Sequence, residues 1–303
     1  MAGTCGRGGT SSAPTASCTR SFSASSGVGR IRIGFVSRRE SESVQLAGLL
    51  IRQIEGEAGV QVLADEDLAP RIGREGCSVA EMERQKVDFI VSVGGDGTIL
   101  RTIHKMADPL PILGINMGTL GFLVDVEPKD AVETLKKLIS GFDVDMRSRL
   151  KLLLNGVCLP RATNEIAFIT ASPAKMIEFE IIVDGAVMED FRADGVIIAT
   201  STGSTAYAMS AGGPIVDPRV DAIVLVPMAP FKLSSRPWVI PGDSVIEVRL
   251  RLPGKEALVV VDGQSSATIS SQDRIIISKA KTPARFVKVG RDGFYAKVKS
   301  KLT

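Results

Sequence analysis

Val87-Asp88-Phe89-Ile90-Val91-Ser92-Val93-Gly94-Gly95-Asp96-Gly97-Thr98-Ile99-Leu100-Arg101-Thr102-Ile103-His104-Lys105-Met106 is the stretch that decides the fold. Val87 to Val93 is short, apolar and rich in β-branched residues, the pattern of a buried strand. Thr98 to Met106 places Ile99, Leu100, Ile103 and Met106 at helical spacing. Between them, Gly94-Gly95-Asp96-Gly97-Thr98 makes a strand-to-helix turn. Paired glycines let a ligand approach backbone that a Cβ would shield. The helix N-terminus behind them offers unpaired N–H groups and the positive end of a dipole, which suits phosphate. Asp96 falls at the carboxyl end of a strand, where open α/β sheets bind ligands. This is not a Walker A loop, because no Gly-Lys-Ser/Thr follows. Nor is it a dinucleotide fingerprint, because Leu100 stands where the third glycine belongs. A plain tight turn is the alternative.

Outward from this stretch, Ile31 to Ser37, Gln61 to Ala64 and Pro111 to Asn116 have the pattern of further strands. Val44, Leu46, Leu49, Leu50 and Ile54 mark a helix across 42–56. Pro128 opens and Gly141 closes another helix. Alternating strands and helices predict a Rossmann-like α/β domain over 31–144, its largely parallel sheet covered on both faces. Beyond it, strand-like segments are separated by Gly, Pro and Asn. Asp184-Gly185 and Asp262-Gly263 sit between apolar runs as hairpin turns, and Ser244 to Leu252 alternates like a half-buried strand. Residues 145–272 are therefore expected to form a β-rich, sandwich-like domain, and 273–303 to return to the first.

Residues 1–30 are rich in Ser, Gly, Thr and Ala and lack Asp and Glu. They are expected to be a disordered tail or, with Arg7, Arg20 and Arg30, an organellar transit segment. A net charge of +3 over 303 residues argues against a nucleic-acid surface, and no apolar run is long enough to span a membrane. Cys5, Cys18, Cys77 and Cys158 show no metal-ligand spacing and fit a reducing compartment. His104 is the only histidine. Histidine-based triads would all depend on it, which leaves carboxylates as the expected proton-handling groups; His104 itself is expected to be a surface or packing residue.

Two further segments stand out. Asp194-Gly195, Thr200 to Tyr207 and Ala211-Gly212-Gly213-Pro214 crowd small hydroxyl residues and glycines after the strand Val196 to Ala199. Taken alone, they fit either a nucleotide contact or a satisfied polar loop. Asn164-Glu165 precedes the apolar run Ile166 to Thr170; in isolation such a pair is usually a turn.

Together these segments resemble the NAD kinase family. Its GGDGT loop matches Gly94 to Thr98, and its N-M-G-T-L-G-F-L stretch matches Asn116 to Leu123. The N-E pair matches Asn164-Glu165, and the D-G…T-G-S-T-A-Y…G-G-P segment matches Asp194 through Pro214. GGDG alone is shared with lipid and sugar kinases; all four motifs in this order are far more specific. Ala229-Pro230-Phe231-Lys232-Leu233 is similar to archaeal members, where many bacterial ones carry a histidine in place of Phe231. The resemblance implies an α/β domain and a β-rich domain with NAD between them. It also implies an enzyme that phosphorylates the adenosine-ribose 2′-hydroxyl of NAD; the expected location is cytoplasmic, or an organelle if residues 1–30 are a transit segment. ATP or polyphosphate would be the donor, with a divalent cation, magnesium, whose ligands it does not assign. A homodimer or homotetramer is implied, with no nucleic-acid or membrane partner.

By position, the resemblance makes Asp96 the proton acceptor. Gly94, Gly95, Gly97 and Thr98 would hold the donor phosphates, with Gly97 and Arg101 near the nucleotide. Asn164 and Glu165 match the NAD-contacting pair. Lys175, Arg192 and Asp194 fall at ligand positions, as do Thr202, Thr205, Ala206, Tyr207, Ala208, Met209, Ser210, Ala229 and Gln264.

Overall fold

The computed structural model describes residues 21–22, 30–118, 121–172, 175–251, 254–290 and 293–302. The reading of residues 1–30 as a tail or transit segment lies outside these, apart from Arg30 and Ser21–Phe22. The latter pair antiparallel with Asp143 and Phe142.

Ile31–Ser37, Val60–Ala64, Phe89–Gly94 and Ile112–Asn116 form the parallel part of a seven-stranded sheet. Phe89–Gly94 is buried at every position, as its unbroken apolar run requires of a central parallel strand. Both faces are covered. Ser41–Ile54 and Ala131–Ile139 pack Leu50, Ile51, Leu135 and Leu138 onto Phe35, Val91 and Ile115. Val79–Arg84 and Asp96–His104 pack Met82, Ile99 and Ile103 onto Val36, Ile90 and Ile112 on the other side. Leu49 does not join the core: it is exposed, and Ala47 and Ile51 are buried instead. At 100° per residue Leu49 points away from the Leu50–Ile54 stripe.

Ile31–Ser37 lies between Val60–Ala64 and Phe89–Gly94. Chain order therefore reverses beside Gly94, the switch point at which open α/β sheets leave a crevice. Ala284–Val287 enters the same sheet from the far end of the chain, parallel to Ile112–Asn116 and antiparallel to Phe142–Arg147.

The second half is two six-stranded antiparallel sheets. Leu152, Phe179, Ile181, Val248 and Ile277 of one meet Ile166, Phe168, Val196, Leu225 and Val259 of the other in one core, which makes a sandwich. Gly195–Thr200 is buried at every position, because Ile197 and Ala199 on its outer face are covered by Ala208 of the helix Tyr207–Ser210. Asp184-Gly185 and Asp262-Gly263 both take positive φ (50° and 84°, 48° and 64°), the conformation that tight hairpin turns favour; the first is a two-residue loop, whereas the second includes Gln264 as a third residue between the paired Val261 and Ser265.

Candidate active site

The helix Asp96–His104 opens at Asp96, with Gly95 as its N-cap. A Cβ on Gly95 or Gly97 would meet nothing among the described residues within 4 Å, so this backbone is open to a ligand. Gly94 differs: a Cβ there would stand 2.4 Å from Thr98 Oγ1. The Asp96 carboxylate is held on both oxygens, Oδ2 accepting from the Phe122 N–H at 2.8 Å and Oδ1 from the Leu123 N–H at 3.0 Å. This contact requires Gly121, where a Cβ would lie 2.1 Å from Asp96 Oδ1. Phe122 and Leu123 line a cavity of about 280 Å³ with Thr202 and Thr205, so residues of both halves share it.

Asp262 organises the other side. Its side chain has no exposed surface. Oδ1 accepts from the N–H groups of Asn164 and Glu165 at 2.8 and 3.0 Å. Oδ2 accepts from Thr163 N–H at 2.7 Å and His104 Nε2 at 2.8 Å. A carboxylate acceptor places the imidazole proton on Nε2. Thr200 continues the network: its Oγ1 donates to Thr163 O at 2.7 Å and accepts from Gly203 N–H at 3.0 Å. Gly203 presses on Asn164, where a Cβ would approach the carbonyl oxygen to 2.0 Å. The Gly203–Thr205 turn therefore follows the Asn164-Glu165 backbone, which follows Asp262.

Burial, and secondarily the Asp262 charge, push the Glu165 carboxyl up to about 8, against a smaller lowering by the Tyr207 N–H. Its Oε2 is buried without a hydrogen-bond partner among the described residues. Glu165 is thus neutral at pH 7, able to donate as well as accept.

Two family models match this chain: the ATP-NAD kinase N-terminal domain over residues 33–142 and the ATP-NAD kinase C-terminal domain over 163–289. The chain belongs to the NAD kinase family. An NAD kinase of Methanosarcina mazei is 52% identical over 90% of this chain and 94% of its own. One of Methanosarcina barkeri is 57% identical over 80% and 89%. The crystal structure of an NAD kinase from Archaeoglobus fulgidus in complex with ATP matches with a TM-score of 0.73 at 34% identity, over 89% of this chain and 99% of its own. Yeast NADH kinase complexed with NADH matches with a TM-score of 0.82 at 24% identity, over 90% and 87%, a likeness of fold.

Of the residues matched to NAD kinase motifs, the structure brings Asp96, Asn164, Glu165, Thr202, Thr205 and Tyr207 to one junction. Gln264 lies two residues beyond Asp262 in the same turn. Arg101 is exposed on the loop's own helix and lines a crevice with Ser37, Arg39, Asp65 and Thr98. Lys175, Arg192, Asp194 and Ala229 gather elsewhere. Glu165 pairs with Ala199 and Ile169 with Gly195, so this second group lies at the opposite end of the sheet, roughly 14 Å away at the usual strand rise. Thr170 Oγ1 donates to Lys175 O there, and Phe231 N–H to Arg192 O. Sequence reasoning missed Asp262, Gly121, and His104 as a polar partner. Asp262 was legible only as the first residue of an Asp-Gly turn.

Proposed function

We propose that this protein transfers the γ-phosphoryl group of ATP to the 2′-hydroxyl of the adenosine ribose of NAD, with Asp96 accepting the hydroxyl proton. Polyphosphate is the alternative donor. The observation that carries this is the Asp96 carboxylate, held on both oxygens beside the open backbone of Gly95 and Gly97. The ribose 2′-oxygen forms the new bond to the γ-phosphorus as the bond to the β,γ-bridging oxygen breaks. The electron pair leaves with ADP, and the hydroxyl proton passes to Asp96. Because the transition state is loose, positioning and charge neutralisation supply most of the rate, and a carboxylate that takes the proton late suffices. The N–H groups opening the Asp96–His104 helix face the donor phosphates. Neutral Glu165 and the Asn164 amide orient the NAD ribose or base.

No cluster of three metal-ligating side chains occurs among the described residues. Magnesium fits all the same, since it is held mainly by substrate phosphates, water and one or two carboxylates; bound there, it neutralises charge on the transferring group. Self-association as a homodimer or homotetramer belongs to the same reading. It is a route by which the Lys175, Arg192, Asp194 and Ala229 end of one copy could reach the Asp96 end of another. Among the described residues no helix is long and apolar enough to cross a membrane; the cytoplasm is the proposed location, on the cysteine spacing in the sequence.

The test is NADP formation from NAD, ATP and magnesium, followed with an NADP-dependent dehydrogenase. Asp96→Asn is expected to abolish turnover with the fold intact. Full rate in that variant refutes Asp96 as acceptor, and product only with polyphosphate reverses the choice of donor.

A further inference from the structure

The C-terminal helix Phe294–Leu302 buries none of its residues, yet it is tied to the site by polar contacts. Lys297 Nζ lies 3.3 Å from the carbonyl oxygens of both Phe122 and Val124 and pairs with the Asp125 carboxylate. The Lys301 ammonium stands 4.1 Å from the centre of the Phe122 ring. Near the helix start, Tyr295 Oη donates to Asp217 Oδ2 at 2.7 Å. The helix thus joins the turn that holds Asp96 to the 217–219 turn of the second half.

The Phe122 carbonyl and the Leu123 N–H belong to one planar, trans peptide group, so they point in opposite directions. Lys297 occupies the carbonyl side, and Asp96 Oδ1 accepts from the N–H side at 3.0 Å. We infer that Lys297 is a positioning residue for Asp96, acting through this single peptide group.

Two physical effects make the link. A cation on the carbonyl oxygen polarises the amide and strengthens its N–H as a donor, as in any chain of hydrogen bonds. The ammonium also spends its three donors on Phe122 O, Val124 O and Asp125. Consecutive parts of the turn are thereby fixed to one point, and the Phe122 and Leu123 N–H groups stay aimed at the carboxylate. Phe294 and Val298 of the helix holding Lys297 are only half-buried, so its contribution is to alignment more than to the core. The inference rests on Asp96 being the proton acceptor.

The test compares Lys297→Met, Lys297→Arg and Asp96→Asn in the full chain, by steady-state kinetics, thermal midpoint and amide NMR. Lys297→Met is expected to lower kcat on the order of ten- to a hundredfold, the scale of a misaligned catalytic group. KM for NAD and ATP should stay within a factor of about two, as for a loss felt only in the transition state. The Leu123 amide proton should move upfield, and Lys297→Arg should restore most of the rate. Unchanged kcat in Lys297→Met overturns the inference. So does a rise in KM alone, because Lys297 also lines the cavity and would then be a substrate contact. A rate loss that tracks a lowered thermal midpoint and is not rescued by arginine makes the role merely structural and overturns it too. If Asp96→Asn keeps its rate, the acceptor assignment fails; if Asp96→Asn is inactive while Lys297→Met is normal, only the present inference does.

Discussion

His104 Nε2 lies 2.8 Å from Asp262 Oδ2, although 158 positions separate them in the chain. His104 ends the helix that Asp96 begins, and Asp262 holds the backbone N–H groups of Thr163, Asn164 and Glu165. This pair therefore sets the Asp96–His104 helix against the Asn164-Glu165 turn. An asparagine at 262 would turn an amide N–H toward donors. Asp262→Asn should cost about 2–3 kcal/mol, the scale of orphaned buried polar groups, and raise KM for NAD. Chemical denaturation and kinetics check both. His104→Gln, which keeps a donor, should be milder than His104→Phe; a milder His104→Phe would mean that the ring's packing matters and its bond to Asp262 does not.

Gly121→Ala tests the cradle of Asp96 from the other side. The new methyl would collide with Asp96 Oδ1, and the carboxylate would have to turn out of its bonds to Phe122 and Leu123. A loss of kcat on the order of a hundredfold is expected from displacement of this size, with an unchanged circular dichroism spectrum. A normal kcat would show that the two N–H groups are dispensable for turnover.

Glu165 makes stability fall with rising pH. Its carboxyl stands near 8 in the folded protein against an ordinary value of 4.5, so between these values the folded state binds the extra proton. That contribution is complete below about 4.5, is lost as pH rises through 8, and levels off above. Glu165→Gln removes the titration. The thermal midpoint of Glu165→Gln relative to the unsubstituted protein should therefore climb from pH 5 to pH 8.5 and then hold steady. A pH-independent difference would contradict the raised carboxyl.

Arg149 carries a prediction about stability. It is 1% exposed, and burial, then the nearby Arg161 charge, lower its guanidinium to about 10, still charged at neutral pH. Its Nε donates to Thr282 O at 2.9 Å and its Nη2 to Thr282 Oγ1 at 2.6 Å, and Nη2 reaches Ala107 O at 3.5 Å. It thereby ties the start of the strand Leu150–Leu154, in the second half, and the segment leading into Ala284–Val287, in the first sheet, to the loop after the Asp96–His104 helix. Arg149→Ala should destabilise by about 3–5 kcal/mol, through a cavity and orphaned acceptors together. Urea unfolding would show it, and a change under about 1 kcal/mol would mean the site collapses or fills with water.

Local pattern was enough for most of the α/β half, although the short helix Val79–Arg84 and the strand Phe142–Arg147 were not read from it. Buried parallel strands are continuous apolar runs, and covering helices repeat every three or four residues, so Phe89–Gly94 and Asp96–His104 announce themselves. Asp-Gly turns are equally explicit, because few other residues accept positive φ. The Gly95-Asp96-Gly97 loop was legible for the same reason: its chemistry sits within a few consecutive residues. Asp262, His104, Gly121 and Lys297 were not, because their roles exist only between segments. Asp262 in the sequence is a turn residue; in the fold it is a buried acceptor for three consecutive N–H groups and a histidine. Gly121 becomes obligatory only once Asp96 docks against it. Nothing in the local pattern of Lys175, Arg192, Asp194 and Ala229 says that the sheet carries them to its opposite end. The sequence by itself determined most of the α/β elements and the Gly94–Thr98 loop through periodicity and short-range turn chemistry, and its motifs carried the resemblance to the NAD kinase family on which the proposal of Asp96 as acceptor rests. The tertiary structure decided how that carboxylate is aimed and what ties it to the second half, because hydrogen bonds between distant segments leave no period in the chain.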